Sequence, residues 1–122
     1  MSDTFKQDID ALCRFASQCK SLDALTPELA NVFLRNAGAL AEVTYRYRMV
    51  GADTGYRFAF ALDHGCYAVL TDTDAVDVTV TGAETNLLAI FQRKLNPVNA
   101  LLFGKLKLNG NKTALVKLAD FL

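Results

Sequence analysis

DVTVTGAETNLLAIFQRKLNPVNALLFGKLKLNGNKTALVKLADFL, residues 77–122, contains the alternation of elements that decides the fold of this chain. Just before and inside it, Val76, Val78 and Val80 alternate with polar residues. This period of two predicts a β-strand with one solvated face that ends at Thr81. Thr81 and Glu84 have the spacing of a capping box, so the sequence predicts that a helix begins directly after the strand.

The predicted helix carries one apolar stripe at helical spacing, which comprises Leu87, Leu88, Phe91 and Leu95. Asn96-Pro97 ends it, because the residue before a proline avoids the α conformation. The same pair begins another helix, since asparagine is a good N-cap and proline is suited to the first helical position. We therefore expect a second, short helix from Val98 to Phe103.

The last part of the stretch predicts a strand and a final helix. Gly104 can end the short helix in the left-handed conformation, and Leu106 and Leu108 then alternate with lysines as a strand does. Asn109-Gly110-Asn111 is typical of a turn. A closing helix is predicted from five apolar residues at helical spacing: Ala114, Leu115, Leu118, Phe121 and Leu122.

Three segments of this stretch, in register, resemble the C-terminal half of the sterol carrier protein 2 family. They are DVTVTGAETNLLAIF (77–91), KLNPVNALLF (94–103) and GKLKLNGN (104–111), and the resemblance covers Asp77 to Lys117. It implies an α+β domain with a five-stranded, mostly antiparallel sheet and helices covering one face. It also implies an apolar tunnel that takes sterols, fatty acids, fatty acyl chains or phospholipids, and no catalytic residues.

The chain departs from the family pattern at two places. Phe103 stands where the family often has a polar residue before Gly-Lys-Leu-Lys, and Lys112-Thr113 stands where Met-Gly often follows Gly-Asn. The first difference concerns how the mouth of a tunnel would treat a polar head group. The second concerns how the last helix begins.

Length and composition restrict the class of protein. A chain of 122 residues has room for one core, so we expect a single domain over residues 1–122, which the resemblance implies is a sterol-carrier-like lipid-binding domain. Its 13 basic and 13 acidic residues give a net charge of zero, which argues against nucleic acid as a partner. Hydrophobic residues make up 52% of the chain, and a tunnel, a dimer face or a larger core would each absorb a modest excess.

The termini and cysteines favour a cytoplasmic protein without cofactors. MSDTFKQDID lacks the features of a secretory signal, and ADFL is not a peroxisomal address. Cys13, Cys19 and Cys66 are odd in number and match no metal or redox spacing, so free thiols in a reducing compartment are expected. We expect no cofactor and no metal.

The first 40 residues predict two helices. Apolar residues recur at helical spacing from Phe5, which indicates an amphipathic helix from Thr4 to about Lys20. Residues 21–25 are interpreted as a linker. Thr26 as N-cap and Pro27 at the first helical position predict a second helix that ends near Gly38.

The central part of the sequence predicts three meandering strands, in the order that the family has. The first runs from Glu42 to Val50, with its inward residues being Val43, Tyr45, Tyr47 and Met49. The second carries Tyr56, Phe58, Phe60 and Leu62 inward, and the third runs from Cys66 to Thr71. Residues 51–55 and 63–65 are predicted turns.

The residues predicted to bind lipid lie on the inner face of the sheet and on the C-terminal helices. They are Phe58, Phe60, Leu87, Phe91, Leu95, Leu101, Leu102, Phe103, Leu115, Leu118 and Phe121. Apolar stripes of this kind are more often ordinary core, so a mixture of core and lining is expected. Phe103, Phe121 and Leu122 lie near helix ends, where they either gate a mouth and contact a bilayer or make terminal packing contacts. On the first interpretation, Phe103→Glu weakens ligand uptake and leaves the fold intact.

Two polar groups have functional and structural interpretations. Outward-facing Arg46, Arg48, Arg57, Lys105 and Lys107 form either a patch for anionic head groups or a solvated face paired with neighbouring acids. Asp63, His64 and Cys66 offer an acid, a base and a nucleophile, but side chains adjacent in a tight turn generally diverge.

The sequence therefore predicts a lipid carrier and not an enzyme. It would sequester a sterol, fatty acyl or isoprenoid-like chain in an apolar tunnel and make transient membrane contact. The alternative is a non-catalytic scaffold that presents a lipid intermediate to partner enzymes, as relatives of the family do in isoprenoid quinone synthesis. An enzyme that uses His64 or Cys66 is a third interpretation, which no other feature supports.

Overall fold

A computed structural model describes residues 3–120. In it, segments in which apolar and polar residues alternate form five strands, and segments with apolar residues at helical spacing form five helices. The helices are α1 (Asp3–Ala16), α2 (Leu22–Arg35), α3 (Glu84–Phe91), α4 (Pro97–Leu102) and α5 (Lys112–Ala119), with a 3-10 turn at Ala37–Leu40. The strands are β1 (Arg46–Gly51), β2 (Arg57–Asp63), β3 (Cys66–Leu70), β4 (Val78–Gly82) and β5 (Leu106–Gly110).

The strands form one sheet in the order β3-β2-β1-β4-β5. β1 pairs in parallel with β4, with Tyr47 opposite Val78, and the other three pairings are antiparallel. A parallel neighbour requires a crossover, which the connection from β3 supplies. The prediction of an α+β fold with a five-stranded, mostly antiparallel sheet is confirmed.

The core lies between one face of this sheet and the helices. The strands turn Tyr47, Met49, Phe60, Val80 and Leu106 inward, all of them buried. From the helices, Phe5, Leu12, Leu29, Leu87 and Phe91 pack into the same core. Burial of such side chains contributes roughly 2 kcal/mol each to folding.

The predicted boundary between the first two helices is wrong. α1 ends at Ala16, and α2 begins at Leu22, where Ser21 Oγ accepts a hydrogen bond from the Ala24 amide at 3.3 Å. Leu22 and Leu25 are buried, and this burial extends the helix through the predicted linker. Pro27 therefore lies inside α2, on its solvent side, where water can bind the carbonyl that its missing N–H leaves free.

The predicted capping box at Thr81 is also wrong. β4 continues to Gly82, which pairs with Gly51 and Leu106, so that Thr81 remains in the sheet. α3 begins at Glu84, with only Ala83 between it and the strand, and takes its cap from another loop, since Asp53 Oδ1 accepts from the Glu84 amide at 2.9 Å. α3 ends at Phe91, which leaves Leu95 outside the helix.

The predicted N-cap at Asn96 and the left-handed Gly104 are confirmed, whereas the helix predicted from Val98 to Phe103 runs from Pro97 to Leu102. Asn96 Oδ1 accepts hydrogen bonds from the amides of Val98 at 2.9 Å and Asn99 at 3.2 Å, and Gly104 has a φ of 73°. The predicted turn at residues 109–111 is wrong, because β5 runs through Gly110 and Asn111 is the N-cap of α5.

Candidate functional site

An apolar cavity of about 60 Å³ lies between the sheet and the helices. The sheet contributes Tyr47, Met49, Phe60, Val80 and Leu106 to its wall. All five helices contribute to the wall, through Ile9, Phe33, Leu87, Ile90, Phe91, Pro97, Leu115 and Leu118. The wall is almost entirely apolar, so the cavity suits a hydrocarbon group and offers a polar group very little.

The structure brings five of the predicted lipid-binding residues together on the cavity wall: Phe60, Leu87, Phe91, Leu115 and Leu118. Three others, Phe58, Leu95 and Leu101, are half-buried and pack against the core beside the cavity. Leu102 and Phe103 are 74% and 75% exposed at the end of α4. Phe121 and Leu122 lie outside the described residues.

Sequence reasoning missed lining residues from the N-terminal helices. Ile9 of α1 and Phe33 of α2 contact the cavity, although each belongs to a stripe that predicts ordinary core. Met49, Val80 and Leu106 could have been found, because strand parity places them on the inner face with Tyr47 and Phe60. No local signal identifies Ile9 and Phe33, since their position depends on how α1 and α2 pack over the sheet.

Aromatic rings form one side of the site. The Phe60 ring lies 5.2 Å from the Tyr47 ring and 5.3 Å from the Phe33 ring, measured between centroids. Tyr67 lies 5.9 Å from both Phe33 and Phe60, and burial raises its pKa to about 12. Its buried hydroxyl has no hydrogen-bond partner among residues 3–120.

One hydrogen bond ties α5 to the sheet at the cavity. The Tyr47 hydroxyl donates to the carbonyl oxygen of Ala114, in the first turn of α5, at 2.7 Å. Both residues are buried, and the pKa of Tyr47 is raised chiefly by burial. This bond attaches the N-terminal end of α5 to the sheet. It therefore stabilises the position of Leu115 and Leu118 in the cavity wall.

Two of the three outward arginines, Arg48 and Arg57, are engaged in structural contacts. Arg48 Nη2 donates to the carbonyls of Thr71 at 3.0 Å and Asp74 at 2.8 Å, and Arg57 pairs with Asp72 at 3.3 Å. They hold the connection between β3 and β4, which supports the structural interpretation of this part of the basic row. Lys105 and Lys107 make no ion pair with another described residue.

The Asp63–Cys66 turn does not assemble a catalytic group. His64 Nδ1 contacts the neighbouring carboxylate of Asp63, and both side chains are mostly exposed. Positive φ angles at His64 and Gly65 form a tight turn, and Cys66 is exposed. Within residues 3–120, no three metal-ligating side chains lie close enough together to hold an ion, and no helix has the length and apolarity to span a membrane.

A five-stranded mixed sheet covered by helices, with an apolar cavity beneath them, defines an α+β domain of the sterol-carrier type. The model of the SCP-2 sterol transfer family matches residues 31–122, and the chain belongs to that family. The family resemblance of residues 77–117 is thereby confirmed.

Among curated proteins, sterol carrier protein 2 from Bos taurus is 28% identical over 104 residues. The match covers 83% of this chain and 18% of the bovine protein, so the chain spans less than a fifth of that relative.

Solved structures share the fold. The S233Y F250G double mutant of the sec-alkyl sulfatase PisA1 matches with a TM-score of 0.68 and 25% identity, over 82% of this chain and 16% of the sulfatase. The UbiJ-SCP2 ubiquinone synthesis protein matches with a TM-score of 0.59 and 19% identity, over 76% of this chain and 85% of that protein.

Proposed function

We propose that this protein binds the hydrocarbon chain of a lipid in the cavity beneath α5 and carries it away from water. The observation that carries the proposal is the cavity itself, which is apolar on the sides formed by the sheet and by the helices. The name of the bovine relative, a sterol carrier protein, supports the same ligand class. Each methylene moved out of water contributes about 0.8 kcal/mol, so a long chain binds without polar contacts.

The cavity must expand before it can hold such a ligand. Its volume of about 60 Å³ is less than half of the roughly 150 Å³ that admits benzene in an engineered cavity. A fatty acyl or isoprenoid-like chain therefore requires one wall to move.

α5 is the wall that we propose moves. It is eight residues long, and among its described residues only Ala114 is fully buried. Leu115 and Leu118 line the cavity while remaining partly exposed, so an outward shift of α5 widens the cavity at little cost in buried area. Short helices with few buried side chains open at low free energy.

Proposed ligand contacts follow the geometry. Phe60, Leu87, Phe91, Leu115 and Leu118 would contact the chain directly. Phe58, Leu95 and Leu101 would support that wall from behind. Leu102 and Phe103 stand outside the cavity on the surface, and the contribution of Phe121 stays a prediction. No catalytic role is proposed for any of them.

The test is lipid content followed by titration with a fluorescent fatty acid. Native mass spectrometry of the freshly purified protein should show a co-purified lipid, which extraction identifies. Leu118→Trp fills the cavity and should abolish probe binding, whereas Leu34→Trp, at a position 62% exposed on α2, makes the same change away from the site and should not. A wild-type protein without lipid that also refuses the probe would overturn the proposal.

A second candidate is a non-catalytic accessory module that presents a lipid intermediate to enzymes. The small volume of the cavity favours it, because a partner that binds the open form would supply the free energy of opening. The names of two fold neighbours, a sec-alkyl sulfatase and a ubiquinone synthesis protein, support this candidate. This candidate predicts a stable protein partner and poor transfer of lipid between vesicles by the isolated chain.

A further inference from the structure

α4 concentrates exposed apolar side chains on the surface. Six large hydrophobic residues are exposed among those that the structure describes, and three of them, Val98, Leu102 and Phe103, belong to α4 or directly follow it. Their exposures are 39%, 74% and 75%; Val98 and Leu102 are four residues apart and share one face of the helix, and Phe103 is its C-cap. The other three, Phe15, Leu34 and Val69, lie singly on α1, α2 and β3.

The segment of chain that contains α4 carries charges of one sign. Residues 85–119 contain Arg93, Lys94, Lys105, Lys107, Lys112 and Lys117 and no acidic residue, although the net charge of the whole chain is zero. Arg93 pairs with Asp10 at 2.8 Å. The five lysines make no ion pair with another described residue, so their charges are available to a partner.

These lysines flank α4 at both ends. Lys94 precedes Pro97 by three residues. After the helix, Lys105 directly precedes the edge strand β5 and Lys107 lies on it, both with exposed side chains. The acidic groups at this end of the sheet are already engaged, since Asp53 accepts from the Glu84 amide and Glu84 accepts from the Thr54 hydroxyl at 2.9 Å.

We propose that the α4 patch, defined as Val98, Leu102, Phe103, Lys94, Lys105 and Lys107, docks the protein on an anionic membrane surface. Apolar side chains beside unpaired lysines are what the boundary between anionic headgroups and acyl chains accommodates. Phe103 and Leu102 enter that boundary, while the lysines contact phosphate and carboxylate groups. A second copy of the chain is a poor occupant, because a two-fold contact would place like charges against each other.

The patch also borders the cavity. Pro97, the first residue of α4, and Leu106, the first residue of β5, both line it. Docking through α4 would therefore hold the cavity close to the hydrocarbon of the bilayer. The inference rests on the proposed carrier function, because lipid transfer is the purpose of docking. Docking itself is measured independently of ligand binding.

The position of the docked surface can be tested with single tryptophans, since the chain contains none. In Phe103→Trp, vesicles of phosphatidylcholine with about one-third phosphatidylserine should shift the emission to shorter wavelength, and brominated lipid should quench it. Pure phosphatidylcholine should produce a much weaker response. Phe15→Trp, on α1, places the same reporter at another exposed aromatic position and should stay unchanged.

Two double variants that each remove two lysines test the contribution of charge. Lys105→Gln with Lys107→Gln should weaken vesicle binding by about tenfold or more, because each lysine near an anionic surface contributes about fivefold. Lys6→Gln with Lys20→Gln removes the same charge from exposed positions elsewhere and should have little effect.

Several results would overturn the docking proposal. One is a shift of tryptophan emission in Phe15→Trp and not in Phe103→Trp. Another is unchanged emission of Phe103→Trp with anionic vesicles. A third is an equal loss of vesicle binding in the two lysine double variants. Uptake of a soluble fatty-acyl probe, measured without vesicles, separates the two proposals. Docking without uptake would remove the carrier function and leave docking in place, whereas uptake without docking would do the reverse.

Discussion

Tyr47 is the residue at which fold and site meet. Its ring stacks on Phe60 in the cavity wall, and its hydroxyl reaches the first turn of α5. A buried hydrogen bond between elements contributes about 1 kcal/mol to stability, and more is lost when one partner is left unsatisfied. Tyr47 therefore sets how firmly α5 closes the cavity.

We expect Tyr47→Phe to lower the free energy of unfolding by about 1 to 2 kcal/mol, because the Ala114 carbonyl loses a buried donor. Urea denaturation measures the loss. In Tyr47→Phe, hydrogen exchange should show a larger loss of protection, relative to wild type, for the amides of α5 than for those of β1 and β2. Tyr45→Phe is the control, since the Tyr45 hydroxyl bonds to no described residue. Equal effects of the two changes would contradict the role given to Tyr47.

At the scale of elements, several ends are set by contacts between distant segments. The carboxylate of Asp53, in the β1–β2 turn, caps the first residue of α3, and β5 ends where Gly110 packs on the backbone of β4. Neither feature follows from the local sequence, in which Thr81 and Glu84 predict a capping box and residues 109–111 predict a turn. Two substitutions measure what these contacts contribute.

Asp53→Ala should destabilise the protein by about 1 kcal/mol although Asp53 is exposed, because the Glu84 amide at the start of α3 loses its acceptor. Thermal unfolding or urea denaturation measures the change. Asp63→Ala removes an exposed carboxylate from another turn and should be close to neutral. An Asp53→Ala protein as stable as wild type would show that water replaces the cap.

Gly110→Ala should cost more than about 3 kcal/mol and prevent β5 from closing normally against β4. Gly110 has a φ of 115°, and a methyl group there would lie on the carbonyl oxygen of Asp77. Gly104→Ala is the matched control, because Gly104 has a φ of 73° with open space around it and should cost only about 1 to 2 kcal/mol. Similar losses of free energy of unfolding at both positions would show that sterics against Asp77 contribute nothing.

At the scale of the whole molecule, three of the four tyrosines are tied to the core. The pKa of each of Tyr47, Tyr56 and Tyr67 is raised, in each case chiefly by burial, and that of Tyr67 reaches about 12. Burial disfavours the charged phenolate, so the folded protein keeps these protons at a pH where the unfolded chain loses them. Stability and alkaline pH are linked through this difference.

We expect the free energy of unfolding to be insensitive to these groups below pH about 10 and to fall as the pH rises above it. The unfolded chain then binds fewer protons than the folded one, so the slope of stability against pH is negative. Urea midpoints at rising pH measure it, and phenolate absorbance should appear together with unfolding. Tyr67→Phe should make the decline shallower. Full ionisation of the tyrosines at pH about 10 with the fold intact would contradict this linkage.

The sequence by itself determined the class of fold, the parity of the strands, the α4 cap at Asn96 and the family. These follow from local rules, since side chains alternate along a strand and Asn-Pro restricts the backbone of its neighbours. It also identified Phe60, Leu87, Phe91, Leu115 and Leu118 as residues of one apolar face.

Only the tertiary structure decided where that face encloses a cavity and which elements close it. Ile9 and Phe33 reach the wall from α1 and α2, and Leu102 and Phe103 lie outside it on the surface. Asp53 caps α3 across 31 residues, and buried leucines continue α2 through the predicted linker. The physical reason is that burial and long-range hydrogen bonds outweigh the smaller free energies of local propensity, and their partners are specified by packing.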